Sequence, residues 1–198
     1  MTAIRNFYDA MLDPVCNRLM VEIPGDYKYH SLRHTLDVIE EAVRIGQSEG
    51  LNEYDLTLLK IAALFHDTGY ILSRKEHEQV GCGIFRDAAQ GYGLSEEDAK
   101  IIEGCIMATR IPQSPKSHIE MVLCDADLDY LGRDDFAPIA ELLFEELLSC
   151  GEIGSRKQWN EIQVRFLSKQ IFHTEYAKKS RTLQLEQNLD FVKKLAGV

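Results

Sequence analysis

The sequence predicts an all-α protein of about seven to nine helices. Apolar residues recur at helical spacing through almost the whole chain, and capping residues stand before most of these stretches. No alternating run of β-branched residues bounded by turn pairs occurs. With 198 residues, 45% hydrophobic and 27% charged, the chain suits one domain over 1–198 that can bury a real core.

Taken in order, Ile4, Phe7, Met11, Val15 and Leu19 form the apolar stripe of a first helix. Ser31 is placed to cap a second, whose inward stripe is His34, Val38, Ala42 and Ile45. Asn52 is placed to cap a third over 53 to about 67, whose LLKIAALF stretch is apolar almost all round and marks a central buried helix. Ser95 and Ser117 open two more, the second with Glu120 as a capping box, and Pro112 and Pro115 punctuate the loop between them. Helices over 134–149 and 155 to about 172 are split by Cys-Gly-Glu-Ile-Gly. A last one runs from Thr174, as its cap, to about Leu195.

Composition excludes several classes. No apolar run approaches the length of a membrane span, and the first twenty residues lack the basic flank and apolar stretch of a secretory signal. The five cysteines are scattered, with no Cys-x-x-Cys pair, which argues against a disulfide framework or zinc ribbon and suits a reducing cytoplasm. A net charge of -10 disfavours a nucleic-acid partner. The charge is uneven, since residues 155–198 hold nine Lys and Arg against four acids, or +5, leaving -15 for the first 154. The apolar positions Trp159, Ile162, Phe166, Leu183, Leu185, Leu189 and Val192 mark this basic tail as two amphipathic helices packed on the acidic core.

Three segments of the acidic part combine histidine and carboxylate: Tyr29-His30-Ser-Leu-Arg-His34, Phe65-His66-Asp67-Thr-Gly69-Tyr70, and Cys124-Asp125-Ala-Asp127-Leu-Asp129-Tyr130. His34 continues the inward stripe of the second helix, and His66 continues Leu59 and Ala63 at the end of the buried one. Adjacent helical residues diverge by about 100°, so His66 and Asp67 can share a ligand only where the helix ends, and Gly69 supplies that end. Asp127 shares a face with Leu123, Tyr130 and Leu131, whereas Asp125 and Asp129 lie towards the other side. An inward carboxylate needs a positive partner, and a divalent cation is the simplest one. Two imidazoles and two carboxylates suit Mn, Fe, Co, Ni, Zn or, less well, Mg. His30, four residues before His34, is placed to protonate a leaving oxygen.

These segments resemble the HD-domain superfamily of metal-dependent phosphohydrolases, whose signature is H…HD…D. The matches are His34, the His66-Asp67 doublet and Asp127, and the resemblance covers roughly 29–135. It implies an HD-type helical bundle with those four ligands around one cation, or two bridged by Asp67. The YHSLRHTLDV stretch is similar to the YHNxxHxxDV segment of class I cyclic-nucleotide phosphodiesterases, with Ser31 in place of the Asn. The likeness implies His30 as proton donor, but no counterpart of that family's glutamine-and-aromatic purine clamp is legible. HDxxED, as in (p)ppGpp hydrolases, and HHxxxxGxGYP, as in cyclic-di-GMP hydrolases, are absent.

The resulting expectation is hydrolysis of a small phosphate ester, with nucleotides among the candidates, using one or two divalent cations per chain. His30 and Asp67 are the expected catalytic residues, His34, His66, Asp67 and Asp127 the ligands. His77, Arg74 and Arg110 are candidates for substrate binding. A di-iron oxygenase and a silent nucleotide-sensing module are the rival readings.

Overall fold

The computed structural model describes residues 2–198, and the described residues form nine α-helices and two 3-10 segments. The helices are α1 (Thr2–Glu22), α2 (Leu32–Ser48), α3 (Glu53–Phe65), α4 (His77–Ala89), α5 (Glu96–Ala108), α6 (His118–Asp127), α7 (Phe136–Ser149), α8 (Arg156–Leu167) and α9 (Glu175–Ala196). Short 3-10 segments, Thr68–Ile71 and Asp129–Gly132, follow α3 and α6. None of these helices is long and apolar enough to cross a membrane.

α3 is the axis of the bundle. Leu58, Leu59, Ile61, Ala62, Ala63, Leu64 and Phe65 are all fully buried, as its continuous apolar sequence requires. α1, α2, α4, α5 and α6 pack around it. Phe7 of α1 and Phe85 of α4 meet Phe65 at ring-centroid distances of 6.1 and 5.6 Å. Asn52 caps α3 by accepting from the backbone N–H of Tyr54 and Asp55. A second cluster, including Tyr130, Phe136, Trp159, Leu167 and Val192, joins α7, α8 and α9 to the segment after α6.

Several local expectations change. Ser31 stands in the N-cap position of α2, but its hydroxyl donates back to the Tyr29 carbonyl and caps nothing. Glu120 closes its side of the α6 cap on the N–H of Lys116, one residue earlier than in a standard box. α8 ends at Leu167, short of 172, because the chain turns there and tucks Phe172 into the second core. Leu183 is 69% exposed, since it lies about 200° around α9 from the buried Leu185.

The basic tail does pack on the acidic core, through specific pairs. Asp125, fully buried in α6, accepts from the backbone N–H of His173 and Thr174 and from the Thr174 hydroxyl, fixing the start of α9. Arg181 Nε donates to Asp129 at 2.8 Å, and the Asn188 amide donates to the carbonyls of Leu131 and Arg133. Gly132 allows this approach, because a Cβ there would stand 2.6 Å from Arg181 Cβ. The tail therefore clamps the segment that directly follows Asp127.

Candidate metal centre

Four side chains from three helix ends converge beside α3. His34 sits in the first turn of α2, His66 follows the last residue of α3, Asp67 comes next, and Asp127 ends α6. Asp67 leaves helical geometry (φ -105°, ψ 3°), so its side chain and that of His66 turn to the same point instead of diverging. Gly81 lets α4 close behind this turn, since a Cβ there would lie 3.0 Å from the Phe65 carbonyl oxygen.

The donor atoms form a tight polygon. His34 Nε2 lies 3.5 Å from Asp67 Oδ2, 3.2 Å from Asp127 Oδ1 and 3.4 Å from His66 Nε2. His66 Nε2 lies 3.3 Å from Asp67 Oδ2 and 3.5 Å from Asp127 Oδ1. Donors about 2.0–2.2 Å from a common cation sit roughly 3.0–3.5 Å from one another, so the spacing of the two imidazoles with each carboxylate suits a metal, and the donors of His34, His66 and Asp127 all lie within 4.8 Å of one another. The tautomer fits as well. His66 Nδ1 donates to the Ala63 carbonyl at 2.7 Å, which leaves the Nε2 lone pair aimed inward.

The electrostatics point the same way. His66 is fully buried and Asp67 is 4% exposed, yet Asp67 Oδ2 has no hydrogen-bond partner. Burial alone would raise both carboxyls, but the neighbouring imidazoles hold Asp67 well below the usual carboxylate range and Asp127 at about 2. Burial would likewise lower His66, and the charges of Asp67 and Asp127 raise it instead. The site thus holds one buried and one partly buried carboxylate, a donor set suited to a cation.

The other predicted residues fall around this centre in different ways. His77, at the start of α4, places Nε2 3.5 Å from Asp67 Oδ1 and 3.5 Å from Glu78 Oε1, while Asp67 Oδ2 faces His34 and His66. Burial lowers the His77 pKa, favouring the neutral ring. His30 points its Nδ1 at Glu146 Oε1 (2.5 Å) and its Nε2 at the Tyr70 hydroxyl (3.1 Å). Tyr70 is stacked between His30 and His77, 4.1 Å from each ring. Burial, reinforced by Asp67, raises the Tyr70 phenol, so it stays protonated and can donate. Arg74 is partly exposed but engaged by acids: it donates to Glu146 at 2.7 Å and pairs with Glu152. Arg110 pairs with the exposed Glu76 at 3.3 Å, outside the wall of the adjacent cavity.

Sequence reasoning missed Glu146. This fully buried α7 carboxylate accepts from the backbone N–H of Tyr29 and His30, from the His30 ring and from Arg74. Its only sequence signal is an acid on the apolar stripe of Leu142, Leu143 and Leu147. A cavity of about 240 Å³ opens from Asp67, Asp127, His30 and His77 and runs between α7 and α8. Gln163 and Phe166, three residues apart on α8, share its wall; the sequence marked Phe166 only as an apolar docking position and did not single out Gln163.

Comparison with known proteins agrees with this architecture. The model of the HD domain matches residues 31–129. A bifunctional uridylyltransferase/uridylyl-removing enzyme of Bordetella avium (strain 197N) is 33% identical over 103 residues, covering 46% of this chain and 12% of that protein. The chain therefore spans only a small part of that relative's length. The crystal structure of a protein described as a "predicted HD superfamily hydrolase", from an uncultured Thermotogales bacterium, superposes with a TM-score of 0.62 at 22% identity. That match covers 94% of this chain and 92% of the other, and speaks for the fold. With half its length matched by the family model, and His34, the His66-Asp67 doublet and Asp127 inside the match, the chain belongs to the HD domain family.

Proposed function

We propose that this protein is a metal-dependent phosphohydrolase in which His34, His66, Asp67 and Asp127 hold a divalent cation. The observation that carries the reading is the group of His34, His66 and Asp127, whose donor atoms lie within 4.8 Å of one another, with a buried Asp67 oxygen that no hydrogen bond satisfies 3.3–3.5 Å from both imidazoles. Mn, Fe, Co, Ni, Zn or Mg suits such a set. Asp67 Oδ1 lies 3.5 Å from His77, which also approaches Glu78, and these residues would hold a second cation if one binds. The chemistry such a cation would supply is a lowered pKa for a bound water and withdrawal of charge from a phosphoryl oxygen.

The chain's own groups complete the chemistry. Glu146 fixes the His30 ring through Nδ1, leaving Nε2 on the cavity side next to the Tyr70 hydroxyl, where a proton can pass to the leaving oxygen of an ester. Arg74 serves this arrangement by holding Glu146 ionised, and His77 lines the cavity where substrate would enter. Asp67 acts as ligand and as the charge that orients its neighbours.

Purified protein supplied with Mn²⁺ is expected to hydrolyse members of a panel of nitrophenyl phosphates, phosphodiesters and nucleotides. Chelation, and separately Asp67→Ala, should each lower that rate by at least about 100-fold. Activity that survives both treatments contradicts the reading.

A further inference from the structure

The cavity next to the site has a wall chemistry that selects a class of substrate. Beyond its polar end at Asp67, Asp127, His30 and His77, it is enclosed by Leu143 and Leu147 of α7 and by Trp159, Ile162 and Phe166 of α8. None of the described residues lining it is Lys or Arg. Arg74 is engaged by Glu146 and Glu152 and Arg110 by Glu76, while Arg33 and Arg133 line a separate pocket on the other side of His34. A second or third phosphate beyond the metal end would therefore enter an apolar channel without a counter-charge, at a prohibitive desolvation cost.

A sugar is served little better away from the polar end, where Tyr29, Tyr70, Tyr130 and Glu78 also join the lining. Thr109 reaches the wall, but its hydroxyl donates to the Ile106 carbonyl, and Gln163, 6% exposed, is the one amide side chain in the lining. Each unmatched ribose hydroxyl would lose its water without replacement. An apolar body, in contrast, gains free energy along the whole length of the wall. A dry cavity of about 150 Å³ accommodates benzene, so about 240 Å³ accommodates the phosphoryl end and a group of roughly six to ten carbons.

Resting on the phosphohydrolase reading for its chemistry, we infer that the α7–α8 cavity is the subsite for the apolar alcohol portion of a singly phosphorylated ester, an alkyl or aryl phosphate rather than a nucleoside polyphosphate. Leu143, Leu147, Ile162 and Phe166 hold the carbon body, and Gln163 bonds a single polar edge on it.

Trp159 is the only tryptophan of the chain and stands in the cavity wall, so its fluorescence reports occupancy without turnover. Metal-free protein titrated with 1-octanol should show a saturable change in Trp159 emission, weakened at least about fivefold by Leu147→Gln and by Ile162→Asn. An emission that stays flat up to the solubility limit overturns the subsite. In parallel, kcat/KM with Mn²⁺ is measured across methyl, butyl, hexyl and octyl phosphate, phenyl phosphate, AMP and cyclic AMP. The rate constant should rise about three- to fourfold per methylene until the cavity is full, and Leu147→Gln should compress the octyl-to-methyl ratio. A flat series, or either nucleotide preferred over octyl phosphate, overturns the inference and leaves phosphohydrolysis standing. Octanol binding with no turnover of any ester keeps the apolar subsite and removes the phosphohydrolase reading.

Discussion

Glu146→Gln is expected to destabilise the protein by about 3 kcal/mol and to slow ester hydrolysis at least about tenfold. The carboxylate is fully buried and accepts four hydrogen bonds, two from the backbone of Tyr29 and His30, one from the His30 ring and one from Arg74. Glutamine keeps the shape and can still accept from the backbone, but it leaves the Arg74 guanidinium facing a neutral group. Glu152 remains as a second partner for Arg74, which keeps the cost at the lower end for a broken buried pair. For a chain of this length the loss corresponds to a drop of about 6–12 °C in melting temperature.

The same residue makes a pH prediction. Burial would raise the Glu146 carboxyl, but the His30 and Arg74 interactions outweigh it and lower it from 4.5 to about 2. A carboxyl depressed in the folded state contributes stability above its unfolded pKa and loses that contribution as pH falls towards the folded value. The gap of about two and a half pH units is worth about 3 kcal/mol. Wild-type protein should therefore lose stability steeply between about pH 4.5 and 2, and the Glu146→Gln loss should shrink over the same interval. Melting curves from pH 7 to pH 3 check this. A wild-type and a Gln variant that fall in parallel would show that Glu146 does not carry the charge assigned to it.

Gly69→Ala is the second substitution with a large expected effect. A Cβ at Gly69 would stand 1.9 Å from the His77 carbonyl oxygen and 2.6 Å from its carbon, and both contacts are backbone. No rotamer change relieves them, so either the 3-10 segment after Asp67 or the start of α4 must move. The cost belongs at the upper end for overpacking, about 3 kcal/mol, and the movement carries Asp67 and His77 apart. Activity should fall with stability. Gly83→Ala serves as the comparison, because nothing lies within 4 Å of a Cβ there, and alanine in mid-helix should be neutral or stabilising by about 0.5–1 kcal/mol. Melting temperatures that rank the two variants the other way would contradict the packing described.

Much of this molecule was legible in its sequence because it is written in local periodicity. The LLKIAALF stretch marks α3 as the buried axis, and His34 and His66 on inward stripes mark helix ends that meet beside it. Asp125 and Asp129 were separable from Asp127 by the same angular argument, and the fold ties both to the tail, Asp125 to Thr174 and Asp129 to Arg181. What stayed hidden depends on distant partners. Glu146 is 116 residues from His30, and only the closed bundle brings them together. The cavity is likewise assembled from α7 and α8, whose apolar residues read as ordinary core until their neighbours leave space between them. Leu183 shows the converse error: apolar character alone placed it with Leu185, although two helical residues apart cannot share a face.

The charge imbalance acquires a structural meaning. Arg181 reaches Asp129 and Arg156 pairs with Glu141, so two of the nine basic residues of the tail are matched to acids of the preceding segments. Asp67, Asp127 and Glu78 are the acids of the site whose ion-pair partners among the described residues are histidines only.

The central claim is that His34, His66, Asp67 and Asp127 together bind a divalent cation, and metal content tests it directly. Wild-type protein and Asp127→Ala, both with intact helical circular dichroism, are equilibrated with Mn²⁺, gel-filtered and analysed for metal per chain. Wild-type should retain about one ion or more, and Asp127→Ala less than about a tenth of that. Equal metal content in the two proteins, or none in either, would contradict the site.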